Sequence, residues 1–312
     1  TGGVAVTPYS FIMQGVIDVI NAEAALWMSA RHGHVEPITV FSRLFPFPVL
    51  ISALLKTFTG STPPIEYQLL TTNACLAAAV GFLLPTVMFA ALDAMLDTKA
   101  WSVFGACELN KRSTSEADRH DRFVRHPMSC YSSHAQTAAG AFILARSCAD
   151  ARAPLASSVF GLAQIAMGTV SFAWWASRRQ MIRRLDSYLM EALTTAMAVA
   201  ALAISLPEWE THLVAAFAVY VVVRAATFQG HGDFLLSTTL YTAAYIVSTQ
   251  RLGGSGLLWR YTASTGVIYT GFVLKFFDTT GRGAWGTAAF HYCIGFGHVL
   301  LWTWTQSWPA SA

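Results

Sequence analysis

The sequence predicts an all-α protein of the lipid bilayer, and three observations support this prediction. Of its 312 residues, 54% are hydrophobic. Only 12% are charged, whereas a water-soluble domain carries roughly 25% charged residues. Apolar segments of about 20 residues, the length of helix that crosses a hydrocarbon layer, recur along the chain. Because so few charged side chains are available to cover a water-facing surface, we expect lipid to surround most of the molecule.

Eight segments have the length and apolar character of a transmembrane helix. They are residues 74–96, 128–147, 155–176, 187–206, 209–228, 233–249, 256–276 and 285–304. Pro85 lies inside the first, where neighbouring helices can satisfy the carbonyl that a proline leaves free.

Residues 1–73 predict an N-terminal extension of a different kind. The apolar run from Tyr9 to Ala30 is interrupted by Asp18, Asn21 and Glu23. Such a segment suits a membrane surface or a partner protein better than a membrane span. The predicted organisation is an extension 1–73, an extra transmembrane helix 74–96, a polar loop 97–127, a seven-helix bundle 128–304 and a tail 305–312.

The distribution of basic residues predicts a topology. One face receives the 97–127 loop, the arginines between 178 and 184, and Arg282. By the positive-inside rule this face is cytosolic, or faces the matrix or stroma of an organelle. Both termini then lie on the opposite face. The net charge of +3, with no basic run interleaved with aromatics, excludes a nucleic-acid partner.

Five polar residues are predicted to share the basic end of the bundle, namely Ser171, Asp186, His291, Glu108 and Asn110. Polar residues inside spans are costly, so a cluster of them indicates a functional site or its remnant. Three of these residues also have a purely structural interpretation. Asp186 is an N-cap candidate at the predicted start of its span. Ser171 can bond back to its own helix, and His291 can bridge two helices.

The segment from Val170 to Asp186 resembles the second-helix motif of the alkaline ceramidase family. That motif has a Ser, a His four residues later and an Asp eleven residues after the His. Ser171 and Asp186 match it, and Trp175 stands at the His position. This family belongs to a wider group of seven-helix membrane hydrolases that includes the adiponectin receptors.

Three further segments are similar to the family in the same order. Cys107-Glu108-Leu109-Asn110 resembles its calcium-binding stretch, and His126–Ser133 resembles the start of its first helix. Thr287 and His291 occupy the family's His-x-x-x-His, of which only the second His is present. The resemblance covers roughly residues 105–304 and implies a seven-helix ceramidase-like bundle preceded by an extra helix.

The resemblance implies zinc-assisted hydrolysis of a ceramide amide, with three His on the metal. A catalytic zinc normally has three protein ligands, and His291 is the only family ligand retained. We therefore expect no catalytic residue, no metal and no other cofactor, with Glu108 and Asn110 as remnants of the calcium motif. Zinc is expected only if other residues rebuild the site. The candidates are His134, or His231 with Asp233. His298 is excluded because it lies two helical turns from His291, too far for both to bind one ion.

Three functions follow as hypotheses. The leading one is a non-catalytic accessory subunit, with membrane lipids and other integral membrane subunits as partners. Residue 1 is Thr rather than Met, which suits either a mature imported chain or a trimmed one. The first possibility predicts the mitochondrial inner membrane, in a respiratory-chain or ATP synthase assembly. The alternatives are a divergent lipid amidase with a remodelled metal site, and a lipid-binding or transport protein. Arg224, Arg260 and Lys275 would contact lipid phosphates in the last case, or extend their charges to the membrane surface.

Overall fold

The computed structural model describes residues 65–107, 114–149, 153–227, 234–251, 255–281 and 285–306. In these ranges the chain is helical and contains no β-strand. The α-helices are α1 Ile65–Met95, α2 Pro127–Ser132, α3 His134–Ala149, α4 Leu155–Ser177, α5 Gln180–Ser205, α6 Glu210–Thr227, α7 Phe234–Arg251, α8 Ser255–Thr279 and α9 Gly286–Gln306.

A helix lies at each of the eight places where the sequence predicts one. Within the described residues, four stretches are long and apolar enough to cross a membrane, which is the organisation of an integral membrane protein. They are Thr72–Met95, Leu155–Ser177, Gln180–Ser205 and Pro207–Thr227. The helices α3, α7, α8 and α9 do not meet the same criterion, so their crossing of the membrane stays a prediction.

Three predicted boundaries differ from the structure. The first helix begins at Ile65 rather than at residue 74. The predicted segment 128–147 is divided at Ser133 into α2 and α3, where the hydroxyls of Ser132 and Ser133 both donate to the Ser129 carbonyl. The helix α5 begins at Gln180 rather than at residue 187. Residues 1–64 of the predicted extension and most of the predicted tail lie outside the described residues.

The helices α3, α4, α5, α7, α8 and α9 surround a common interior. The helix α3 packs against α1, α4 and α9, while α5 packs against α4 and α7. The pair α8 and α9 is closely packed, but α7 meets α8 at few positions. The helix α6 lies outside α5 with none of its residues buried. The seam between α7 and α8 is therefore the loosest part of the wall around the interior.

Glycine allows α3 and α4 to pack closely against each other. An added Cβ on Gly140 in α3 would lie 2.6 Å from the Gly161 carbonyl oxygen and 2.7 Å from the Ile165 nitrogen, both in α4. The two backbones therefore touch without an intervening side chain, as is common between membrane helices. This contact sets the position of α4, which carries Ser171 and Trp175.

The helix α4 ends and α5 begins through a sharp change of backbone direction. Arg178 takes the left-handed conformation, with φ of 54°, and its N–H donates to the Trp174 carbonyl. Arg179 is extended and precedes α5. The Gln180 N–H donates to the Ala106 carbonyl at 3.1 Å. The end of α4 and the start of α5 thus sit beside residues 105–107.

Candidate functional site

A cavity of about 160 Å³ lies in the interior of the bundle. Its lining on α8 runs from Tyr261 to Lys275, a distance of about 21 Å at the rise of an α-helix. The cavity is therefore long and narrow, and follows the helix axes. Its walls are mainly apolar and aromatic, with residues such as Met167, Trp174, Trp175, Met190, Leu193, Met197, Tyr241, Tyr261, Ile268, Phe272, Phe290 and Ile294.

One end of the cavity is polar. Ser171, Asp186, Lys275 and His291 all line it, and each lies within about two turns of the same end of the bundle. The structure thus brings together three of the five residues predicted to meet there. Glu108 and Asn110 lie outside the described residues, so their placement and the predicted calcium motif stay predictions.

Asp186 belongs to the cavity wall and not to a helix cap. It lies in the second turn of α5, whose N-cap position is held by Arg179, so the N-cap interpretation of Asp186 is wrong. Ser171 lines the same cavity. The Asp186 carboxylate oxygen Oδ1 has no hydrogen-bond partner among the described residues. The last turns of α4 and the first turns of α5 therefore present Ser171 and Asp186 to the cavity.

Lys275 lies at the polar end of the cavity, whereas the sequence predicts that it contacts lipid phosphates. Its ammonium lies 4.5 Å from the centre of the Phe290 ring and 5.6 Å from the centre of the Trp175 ring. It interacts electrostatically with Asp186. Ring faces attract cations, so the two rings hold the positive charge at the polar end of the cavity.

His291 is held by the α2 segment. It is 1% exposed, and its Nδ1 lies 2.8 Å from Ser132 Oγ and 3.4 Å from Ser133 Oγ. The Ser133 hydroxyl also lies 3.4 Å from Ser171 Oγ. One ring nitrogen of His291 is therefore engaged by protein hydroxyls, in agreement with the helix-bridging interpretation.

Trp175 fills the position that corresponds to a metal ligand in the resemblance. Its indole is 2% exposed and packs edge-on against the His291 ring, with 6.3 Å between ring centres. Its backbone carbonyl accepts the N–H of His126 at 3.3 Å. The indole has no free lone pair with which to bind a metal, and it occupies the space beside His291.

Thr287 is committed to a buried carboxylate. Its N–H donates to Asp278 Oδ2 at 2.9 Å, and its hydroxyl donates to the same oxygen. Asp278 also accepts hydrogen bonds from the Thr114 hydroxyl and from the N–H and hydroxyl of Ser115. Asp278 is 0% exposed. This carboxylate therefore ties the α8–α9 turn to residues 114–115.

The remaining histidines of the described ranges do not complete a metal site. His134 stacks on Phe172 with 4.8 Å between ring centres, and its ring nitrogens have no hydrogen-bond partner among the described residues. His298 Nδ1 lies 2.8 Å from Gln164 Oε1, deeper in the bundle. Over the described ranges, no three His, Cys, Asp or Glu side chains are placed to hold a metal ion. His231 and Asp233 lie outside those ranges.

The side chains that the structure describes therefore do not fit a three-histidine zinc site. The Trp175 indole cannot ligate, the Thr287 hydroxyl donates to Asp278, and His291 Nδ1 faces Ser132. A catalytic zinc requires three protein ligands and an open position for water. What the arrangement offers instead is a pair of opposite charges, a serine hydroxyl and an imidazole at the end of an apolar cavity.

No protein-family model, curated protein or solved structure matches this chain. The resemblance to the alkaline ceramidases thus rests on the residues of the sequence alone.

Two of the three basic residues predicted to contact lipid can be placed in the structure. The Arg224 guanidinium binds the carboxylate of Glu191 through Nε at 2.6 Å and through a second nitrogen at 2.8 Å. Lys275 lines the cavity. The side chain of Arg260 lies outside the described part of α8. Lipid contact by these residues stays a prediction. The Arg224 charge is paired with the carboxylate of Glu191, a residue of α5.

A loop of residues 114–126 packs against the α8–α9 turn and the start of α2, and it is anchored by carboxylates. Glu116 is one of these anchors. Its carboxylate accepts the N–H groups of Met128 and Ser129, at 2.6 and 2.9 Å, and the Ser129 hydroxyl at 2.7 Å. It thereby satisfies free N–H groups at the start of α2, the segment that holds His291. No sequence motif predicts this role of Glu116, because the path of the loop determines which helix start its carboxylate reaches.

Burial raises the pKa of Glu116 to about 7, even though the hydrogen bonds from Ser129 and Met128 favour its charged form. The folded protein thus binds this proton more tightly than the unfolded chain, in which the pKa is about 4.5. The contribution of Glu116 to stability is therefore fully present below about pH 4.5 and is lost as the pH rises through about 7.

We expect the stability of the wild-type protein, relative to Glu116→Gln, to fall between pH 5 and pH 7.5 and to level off above. The measurement is the difference in Tm between the two proteins in mild detergent. Burial lowers the pKa of the neighbouring His126 to about 4, with Arg178 and Arg125 contributing in the same direction. Because His126 titrates in both proteins, its effect cancels in the difference. A difference that does not vary with pH would contradict the assignment.

Proposed function

We propose that this chain is a non-catalytic integral membrane protein on a ceramidase-like scaffold, serving as an accessory subunit of a larger membrane assembly. One observation supports the proposal that the protein is non-catalytic. The two positions where the family has metal ligands hold Trp175, which packs on His291, and Thr287, which binds Asp278. Both side chains are part of the packing that holds the site together.

The subunit role is supported by the sequence outside the bundle. The first seventy or so residues are apolar yet interrupted by charged residues and prolines. A segment of this kind requires a protein partner or a membrane surface to cover it. We propose a respiratory-chain or ATP synthase assembly of the mitochondrial inner membrane as the host.

The test is purification of the tagged chain from its own membranes in a mild detergent. We expect a native mass well above that of a 33.8 kDa monomer, co-purifying membrane subunits, substoichiometric zinc and no hydrolysis of a ceramide. A free monomer would contradict the subunit role. Stoichiometric zinc that is lost on His291→Ala would instead support the divergent amidase. Subunits of another compartment would contradict the proposed host.

A second candidate function is the binding of a single-chain amphiphile in the cavity. The cavity supports it, because a cluster of polar groups lies at one end of a mainly apolar lining, which extends about 21 Å along α8. The sparse contact between α7 and α8 offers a side route from the bilayer.

A cavity-filling variant tests this second function. Met190 lines the cavity, so Met190→Trp is expected to abolish a co-purifying amphiphile detected by native mass spectrometry. The matched control is Val222→Trp, at a side chain that is 68% exposed on the outer face of α6, and it should leave the bound amphiphile in place. Equal retention by both folded variants would contradict binding in the cavity.

A further inference from the structure

We propose that Lys275 binds a long-chain aldehyde covalently, as an imine, with the chain of the aldehyde in the cavity. This inference rests on the second candidate function, the binding of an amphiphile in the cavity. It goes beyond that function because it names the chemical class of the ligand and the atom that holds it.

The position of Lys275 on α8 is the first step. Among the described residues, Lys275 is the one lysine that lines the cavity. It ends a face of α8 that also carries Phe272, Ile268, Thr265 and Tyr261, at steps of three or four residues. A side chain leaves a helix tilted toward the helix N-terminus, and this direction leads from Lys275 toward Tyr261. A group joined to the amine can therefore extend along the length of the cavity.

The Lys275 amine is available to a ligand. Its nitrogen lies over two rings, 4.5 Å from the centre of Phe290 and 5.6 Å from the centre of Trp175. Among the described residues, the side chain makes no hydrogen bond and no ion pair. A lysine in such apolar surroundings is the kind that forms an imine with a carbonyl compound. The nitrogen can thus form a bond to a ligand without giving up an acceptor.

The reaction balances without an oxidant or a reductant. The Lys275 nitrogen attacks the carbonyl carbon of the aldehyde, and the carbon–oxygen bond is replaced by a carbon–nitrogen double bond. Two of the three protons of the ammonium leave with the oxygen as water, and the third stays on the imine nitrogen. The positive charge is therefore retained beside the rings of Phe290 and Trp175, which attract cations.

A terminal carbonyl suits this place in the cavity. Lys275 lies at one end of the α8 lining, so the reacting carbon of a bound ligand also lies at the end of its chain. An aldehyde has one chain and one hydrogen on that carbon, whereas a ketone carries a second chain. The single chain extends along the apolar walls, and its removal from water favours binding.

Reductive trapping tests the proposal. The purified, delipidated full chain in mild detergent is mixed with a saturated fatty aldehyde and sodium cyanoborohydride, which reduces an imine to a stable amine. Intact mass and peptide mapping then count and locate the adducts. We expect a single adduct per chain, on Lys275. Its formation should be on the order of tenfold or more faster than that on the exposed Lys99, because the cavity holds the carbonyl beside the amine.

Three controls separate binding in the cavity from simple reactivity of the amine. Propanal has the same reacting group without a long chain, so it should label Lys275 no faster than Lys99. Lys275→Arg keeps the positive charge but forms no stable imine, and should remove the trapped adduct. Met190→Trp keeps the lysine but fills the cavity, and should slow the labelling of Lys275 to the rate at Lys99.

The outcomes separate the two proposals. Equal labelling of Lys275 and Lys99 by the fatty aldehyde would overturn the imine inference. Preference of propanal for Lys275 as strong as that of the fatty aldehyde would overturn it as well. Both comparisons use the wild-type protein, so they do not depend on the folding of a variant. An amphiphile that co-purifies with the wild type but not with Met190→Trp, together with no adduct on Lys275, would leave amphiphile binding intact and overturn the imine alone. Absence of both would overturn both.

Discussion

Replacing Asp278 with alanine is expected to lower the Tm of the detergent-solubilised protein by an amount on the order of 10 °C. The Asp278 carboxylate accepts five hydrogen bonds, from Thr114, Ser115 and Thr287. Alanine would leave these donors without their acceptor, and each buried donor that stays unsatisfied costs roughly 1–3 kcal/mol. Thr114 and Thr287 are buried, so water can compensate them only in part. A shift of this size follows from a loss of several kcal/mol.

The same substitution should release residues 114–115 from the α8–α9 turn. We expect faster proteolysis in the 114–126 loop, because its attachment to α8 has been removed. Asp121→Ala is the matched control, since Asp121 is an exposed carboxylate in the same loop and surface substitutions usually change stability by less than 0.5 kcal/mol. Equal Tm values for the two variants would show that Asp278 does not anchor the loop.

Substituting Gly140 with alanine is expected to separate α3 from α4 and to destabilise the bundle by roughly 1–3 kcal/mol. The added methyl group would meet backbone atoms, 2.6 Å from the Gly161 carbonyl oxygen and 2.7 Å from the Ile165 nitrogen. Backbone atoms cannot rotate away as a flexible side chain can, so the two helices must move apart. The measurement is the Tm, together with the oligomeric and folded state on size exclusion.

Gly266 provides the matched control for this prediction. It also lies inside a helix, and an added Cβ there would meet nothing within 4 Å. Because alanine is a better helix former than glycine, Gly266→Ala should be neutral or stabilising by up to about 1 kcal/mol. A loss of stability equal to that of Gly140→Ala would mean that the close contact of α3 and α4 is not the cause.

The places of the helices were predictable from the sequence, because each helix needs about 20 apolar residues and these segments are well separated. Their ends were less predictable. The sequence pattern placed the start of α5 near residue 187, since polar residues precede it, whereas the helix begins at Gln180. The chain continues as a helix through Arg183 and Arg184, because the turn at Arg178 and Arg179 is fixed by contacts with residues 105–107.

The candidate site was predictable in part for a related reason. Ser171, Asp186 and His291 could be assigned to one end because depth in a bundle follows from position along each helix. The role of Lys275 could not, since depth alone does not fix which side of α8 faces the interior. The anchor Asp278 was missed because its partner Thr114 lies 164 residues away along the chain. Glu116 was missed for another reason, since its partners Met128 and Ser129 are close in sequence but are reached only through the path of the loop.

Positions 175 and 287, which correspond to histidines in the alkaline ceramidase resemblance, differ in how readily they could accept a metal-binding residue. A change of Trp175 to His would leave its backbone carbonyl, and hence the bond from His126, in place. A change of Thr287 to His would remove the hydroxyl that donates to Asp278, and would place a ring against the anchor of the loop. A histidine is therefore harder to accommodate at position 287 than at position 175. A variant that binds a metal here would be expected to require a change of Asp278 as well.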